Sequence, residues 1–137
     1  MAFHPYLFFS GNCREAFTRY NEVFGGELYV MTMGEAPGET PPGADPNTVI
    51  HAALTIGDAL LMASDDPTGD GGPKVGISVS YNSPDPDEIR RVFDALAEGG
   101  EVSQPLMETF FSPAFGMCTD RFGIPWMLSA DPAETTT

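Results

Sequence analysis

The run Phe115-Gly116-Met117-Cys118-Thr119-Asp120-Arg121-Phe122-Gly123-Ile124-Pro125-Trp126-Met127-Leu128 reads as a strand, a tight turn around Asp120 to Gly123, and a second strand. A weaker copy stands half a chain earlier, from His51 through Leu54, Ile56, Gly57 and Leu60 to Ser64. Gly57 falls on Gly123, Ile56 on Phe122, and Leu60-Leu61-Met62 on Trp126-Met127-Leu128. A hairpin that recurs once in so short a chain implies a duplicated architecture, which narrows the possible folds sharply.

The flanking pattern repeats with it. Phe3 to Ser10 is aromatic-rich and reads as a buried strand, Gly11 breaks it, and Asn12 suits the N-cap of a helix. Cys13, Ala16, Phe17, Tyr20, Val23 and Phe24 then recur on one helical face until Gly25-Gly26. Leu28 to Met33 is a strand. The Pro/Gly-rich loop from Gly34 to Asn47 is either mobile or a lid. Thr48 to Ile56 and Ala59 to Ser64 form the first hairpin, and the loop from Asp65 to Lys74 marks a module boundary. Gly76 to Tyr81 alternates as a strand. Asp85, Pro86, Asp87 and Glu88 suit a helix N-terminus, with Ile89, Val92, Phe93 and Leu96 as the buried stripe and Gly99-Gly100 as the stop. Glu101 to Glu108, Ala114 to Thr119 and Pro125 to Ser129 complete the strands.

Each half therefore reads strand, helix, three strands. The expected organisation is a single domain over 1–137, with one module at 1–66, a second at 75–130 and a frayed tail at 131–137. Neither half buries enough surface alone, so an α+β fold is expected, the modules pairing into one curved sheet with helices outside.

Composition excludes several partners. Twenty Asp and Glu against 6 Lys and Arg give a net charge of −14, and no basic run exists to neutralise phosphates, so nucleic acid is not expected. Anionic membranes are disfavoured for the same reason, and no apolar run is long enough to span a bilayer. Acidity favours neutral or cationic ligands, or simply marks a solvated face. Two cysteines, Cys13 and Cys118, offer neither a disulfide framework nor zinc spacing. They read as buried small hydrophobes. With no secretory pattern at the start, a reduced, cytoplasmic protein is the expectation.

A duplicated βαβββ chain of this size resembles the vicinal oxygen chelate superfamily of glyoxalase I, bleomycin-resistance proteins, fosfomycin-modifying enzymes and extradiol dioxygenases, and within it the PhnB-like family. The resemblance is carried by Pro5-Tyr6-Leu7-Phe8-Phe9-Ser10-Gly11-Asn12-Cys13, by Phe24-Gly25-Gly26-Glu27-Leu28, by His51-Ala52 and by Met62-Ala63-Ser64-Asp65. The block from Glu108-Thr109-Phe110-Phe111 to Trp126-Met127 completes it. The resemblance implies a homodimer with a small-molecule cleft. Related domains also carry the label of a ubiquinone-pathway methyltransferase. That activity is not expected here, because no strand leads through a glycine-rich nucleotide loop into a helix.

Glyoxalase-type relatives hold a divalent metal at four positions, two per module, supplied by His, Glu or Gln. Placing this chain on that pattern through Gly11-Asn12 and the hairpin glycines puts Pro5, Leu61, Gly76 and Met127 there. None is a conventional hard-metal ligand, so no cofactor is expected, with a divalent metal as the alternative. His4 adjoins the first position, but one residue along a strand turns a side chain to the other face.

The same placement lines the cleft. Gly76, Ser78 and Ser80 share a face, with Ile77, Val79 and Tyr81 toward a helix. Leu61, Ala63, Met127 and Ser129 look inward, with Leu60, Met62, Trp126 and Leu128 behind, and Pro5, Leu7 and Phe9 form one wall. His51 is the most distinctive titratable group, a general base or polar anchor if it is not a satisfied structural histidine. Glu108 with Phe110, Phe111 and Phe115 forms an aromatic gate or part of a dimer seam. Asp65 caps a loop or binds ligand. Three functions follow: a metal-free PhnB-like protein binding a small molecule of unassigned identity, with or without turnover; a metal-dependent lyase or transferase using His4, His51 and Glu108; or sequestration of a cationic antibiotic.

Overall fold

This computed structural model describes residues 3–35, 43, 45–66, 74 and 76–131. The chain divides into two compact units, 1–72 and 73–137. The first runs β1 (Tyr6–Phe9), α1 (Cys13–Phe24), β2 (Glu27–Thr32), a 3-10 turn (Met33–Glu35), β3 (Val49–Ile56) and β4 (Ala59–Asp65). Its sheet has the order β1-β4-β3-β2, with β1 parallel to β4 and the other pairs antiparallel. The second unit runs β5 (Val79–Ser83), α2 (Pro86–Ala97), β6 (Glu101–Met107), β7 (Phe115–Thr119) and β8 (Pro125–Ala130). Its sheet, β5-β8-β7-β6, repeats the first strand for strand, including the parallel β5/β8 pair. The fold is α+β, two βαβββ modules each with a four-stranded mixed sheet backed by one helix.

In each unit one sheet face packs on the helix. Cys13, Ala16, Phe17, Tyr20 and Val23 of α1 are buried against Leu7, Phe9, Ala52, Leu54, Leu61 and Ala63. Phe9 meets Phe17 edge-on with ring centroids 6.1 Å apart, and Phe17 meets Tyr20 at 5.5 Å. Such pairs add about 0.5–1.5 kcal/mol beyond their buried area. Ile89, Val92, Phe93 and Leu96 of α2 pack on a sheet face carrying Cys118, Trp126, Leu128 and Ala130.

Several expectations change. The fifth strand begins at Val79 rather than Gly76, because the left-handed backbone of Gly76 (φ 82°) breaks the extended run, and Ile77 is 65% exposed instead of packing on a helix. Ser78 consequently precedes the sheet. Asn12 makes no side-chain cap to α1; Asp65, arriving on β4, supplies a charge-assisted one. At α2 the Asp85 carboxylate accepts from Asp87 N at 2.9 Å, as the helix-start pattern anticipates. Most of the Gly34–Asn47 and Asp65–Lys74 loops and the 132–137 tail lie outside the described residues.

The side-chain alternation of the first unit is reversed from the expectation on β1 and β4. Leu7, Phe9 and Leu61 lie in the helix-facing core, 4–6% exposed, and Tyr6, Phe8, Leu60 and Met62 occupy the open face. On β4 the cause is a difference in turn length. Gly57-Asp58 joins β3 to β4, whereas residues 120–124 join β7 to β8. Aligning the two glycines therefore slips β4 by one residue, which exchanges its faces.

Candidate functional site

On the open face of the first sheet, His51 of β3 lies across from Met31 of β2. The next row runs Tyr6, Met62, Ala53, Tyr29 over all four strands. Phe8 pairs with Ser64 on the other side. The Tyr6 ring stands 6.1 Å from the His51 imidazole and 5.1 Å from Phe8. Tyr6, Phe8 and Tyr29 are exposed and His51 half-buried, so an aromatic and thioether surface surrounds one imidazole. Of the residues anticipated from sequence, His51 is here, while Leu7, Phe9 and Leu61 belong to the core behind it. Tyr6, Phe8, Tyr29, Met31 and Met62 join His51 on this face, beyond the residues the sequence singles out. The alternation between Tyr6 and Phe9 was the available signal, once anchored on the right face.

Asp65 stands at the end of this sheet with its carboxylate committed to backbone. Oδ1 accepts from Gly11 N and Cys13 N, both at 3.0 Å, and Oδ2 from Val49 N at 3.1 Å. It ties β4 to the start of α1 and the start of β3. Next to it, burial first and the Asp65 charge second push the Cys13 thiol up to about 12.

The open face of the second sheet carries Ser80, Asn82, Met127, Ser129, Phe115 and Met117. Ser80 Oγ lies 3.3 Å from Asn82 Oδ1, and Met117 sits across from Met127. Beside it Phe111 meets Phe115 edge-on at 5.1 Å and Phe110 meets Phe111 likewise, with Phe110 fully exposed. Glu108 follows β6 and is exposed. On the helix side Asp120 is buried, accepting from Phe122 N, Ile124 N and Trp126 Nε1 at 2.8–3.0 Å, which makes it the organiser of the β7–β8 turn. Burial, then the Asp120 charge, raises the Cys118 thiol to about 11.

The four positions reached by aligning Gly11-Asn12 and the hairpin glycines do not fit a hard divalent cation. Pro5, Leu61, Gly76 and Met127 supply no imidazole or carboxylate. On the observed faces Leu61 gives way to Leu60 and Met62, which supply none either, while on the first strand Tyr6 takes the open face and His4, the nearest imidazole in sequence, precedes the strand. Among the described residues no group of three or more His, Cys, Asp and Glu is arranged to hold a metal, His4, His51 and Glu108 included. No described helix is long and apolar enough to cross a membrane.

The fold is that of the glyoxalase-related enzymes. A glyoxalase-related enzyme from Fulvimarina pelagi (13% identity, TM-score 0.57) and the fosfomycin resistance protein FosX of Listeria monocytogenes (10%, 0.64) share the architecture. The chain belongs to the PhnB-like family of this vicinal oxygen chelate superfamily, and the family model described as 3-demethylubiquinone-9 3-methyltransferase matches residues 1–129. It is 34% identical over 146 residues to Protein YjdN of Escherichia coli (strain K12), covering 99% of each. It is 43% identical to protein PA1353 from Pseudomonas aeruginosa, with a TM-score of 0.85 over 96% of this chain and 98% of that one. The PhnB protein from Bacillus cereus is 25% identical, with a TM-score of 0.74 over 95% and 99%.

Proposed function

We propose that this PhnB-like protein binds a small molecule on the open face of its first sheet, with His51 as the polar anchor or acid/base group and without a hard-metal centre. The observation that carries this reading is the cluster itself: a half-buried imidazole set among exposed Tyr6, Phe8 and Tyr29 and flanked by Met31. Exposed rings and thioethers grouped around one titratable group are costly to leave in water, and they match the makeup of ligand sites. The methyltransferase in the family model's description has no counterpart in the strand-to-helix turns. β1 passes to α1 through Ser10-Gly11-Asn12, and β5 passes to α2 through Pro84-Asp85, neither of which is a glycine-rich nucleotide loop.

A second observation favours a cationic ligand over an anionic one. None of the eight strands among the described residues contains a Lys or Arg. Arg14 and Arg19 lie on α1, and Arg90 and Arg91 on α2. Among the described residues an anion would meet no Lys or Arg on the strands, whereas a cation gains from the aromatic faces and the net charge of −14. This supports the sequestration reading as the form that binding takes.

The test is a thermal-shift screen of chelator-treated protein against small organic cations, anions and neutral compounds. A stabilising compound whose effect disappears in Tyr6→Ala and His51→Ala supports the proposal. Stabilisation that requires added divalent metal, or that survives both substitutions, contradicts it.

A further inference from the structure

Five of the six described methionines, Met31, Met62, Met107, Met117 and Met127, lie on strands, and Met33 lies in the 3-10 turn. Met1 is outside the described residues, and none of Met31, Met33, Met62, Met107, Met117 and Met127 is fully buried. Both helix-facing cores are built instead from Leu, Ile, Val, Phe, Ala, Cys, Tyr and Trp. Thioethers are flexible and polarisable and contact aromatic rings favourably, so their exclusion from the cores and use on the sheets' open faces points to surfaces that adapt to a partner.

The geometry of the first sheet narrows that partner. Tyr6, Met62, Ala53 and Tyr29 form one row across four strands. With strands about 4.8 Å apart, the outer tyrosines stand roughly 14 Å apart at the backbone. Ala53 leaves a low floor between them, with Met62 on one side of it. Met31, across from His51, borders the next row, its side chain within about 5 Å of His51 at Cβ. A flat system of about three fused rings fits over such a floor, in contact with thioethers and tyrosines. Glu27 shares the face with Tyr29 and Met31 by alternation and is exposed, so the charge next to the row is negative.

We propose that Met31 and Met62 are specificity-determining residues of this face, selecting a planar, polarisable aromatic cation over an aliphatic cation of equal charge. The proposal rests on reading the His51 face as the binding site.

Binding of acridine orange, followed by fluorescence, and of hexyltrimethylammonium, followed by calorimetry, separates the two claims. Leucine keeps the apolar volume of methionine, so Met31→Leu/Met62→Leu should fold with little change in Tm, and the single variants serve where the double one is unstable. The wild type should bind acridine orange about tenfold more tightly than hexyltrimethylammonium. The leucine variants should lose about fivefold for acridine orange and nothing for the aliphatic cation. Equal wild-type affinities, or an unchanged preference in the leucine variants, would overturn the thioether assignment and leave the binding face standing. Failure of the wild type to bind either cation would overturn both.

Discussion

Asp65 holds three backbone donors from two distant parts of its unit. Its position after a strand marks it as a loop cap, but sequence could not show that its partners are Gly11, Cys13 and Val49, two of them more than fifty positions away. Asn12 had the local signal for the N-cap and lost to a full charge delivered by the tertiary fold. Asp65→Ala should therefore cost about 2 kcal/mol or more in urea unfolding, since hydrogen bonds to a charged acceptor are worth about 1.5–3 kcal/mol each and their loss leaves donors unpaired. Asp65→Asn, which keeps part of the acceptor capacity, should cost less. The thiols give a pH prediction. Cys13 and Cys118 ionise near 9.0 when free but only near about 12 and about 11 in the fold. Above pH 9 the unfolded chain loses protons that the folded chain keeps, so stability is full below that pH and falls as pH rises toward the folded values. Alkaline unfolding curves of the wild type and of Cys13→Ala/Cys118→Ala should diverge in slope over this interval. Parallel curves would contradict the assignment.

At the scale of elements, both helices and the order of strands were legible because apolar spacing and Gly/Pro punctuation are local signals. The Gly-Gly pairs that close the helices were visible as a repeat, and the structure supplies their reason. Gly25 and Gly99 take left-handed φ values of 71° and 76°. A Cβ on Gly26 would collide with the Thr55 carbonyl oxygen, and one on Gly100 with that of Thr119. Gly26→Ala and Gly100→Ala should each destabilise by about 1–3 kcal/mol through overpacking against backbone, measurable by thermal unfolding. An unchanged Tm would mean that the chain leaving the helix is free to shift. The faces of β1 and β4 were not legible. A one-residue slip in the alignment of two hairpins with turns of different length has no periodic signature, yet it exchanges every side chain of the strand between core and open face. On β4 Leu61 lies in the core and Met62 on the open face, and on β1 Leu7 and Phe9 likewise lie in the core with Tyr6 and Phe8 opposite, while His51 shares the open face of β3 with Ala53.

For the molecule as a whole, duplication and family membership could be read from the recurring hairpin and the flanking motifs, because the same βαβββ order is needed twice. Chemistry could not be read at the same depth. Pro5, Leu61, Gly76 and Met127 carry no imidazole or carboxylate, and among the described residues no group of three or more His, Cys, Asp and Glu stands in for them, so the chemical signal is diffuse: rings, thioethers and the His51 imidazole assembled from four strands. The strong acidity, with every described Lys and Arg off the strands, bears on ligand charge rather than on fold. Binding of a cation should accordingly weaken as salt is raised.

The decisive measurement is an amide and methionine-methyl NMR titration of chelator-treated protein with acridine orange. Shifts centred on Tyr6, Tyr29, Met31, His51, Ala53 and Met62, without added metal, are the predicted result. Shifts confined to the outer surfaces of α1 and α2, or appearing only when a divalent metal is supplied, would contradict a metal-free binding face on the first sheet.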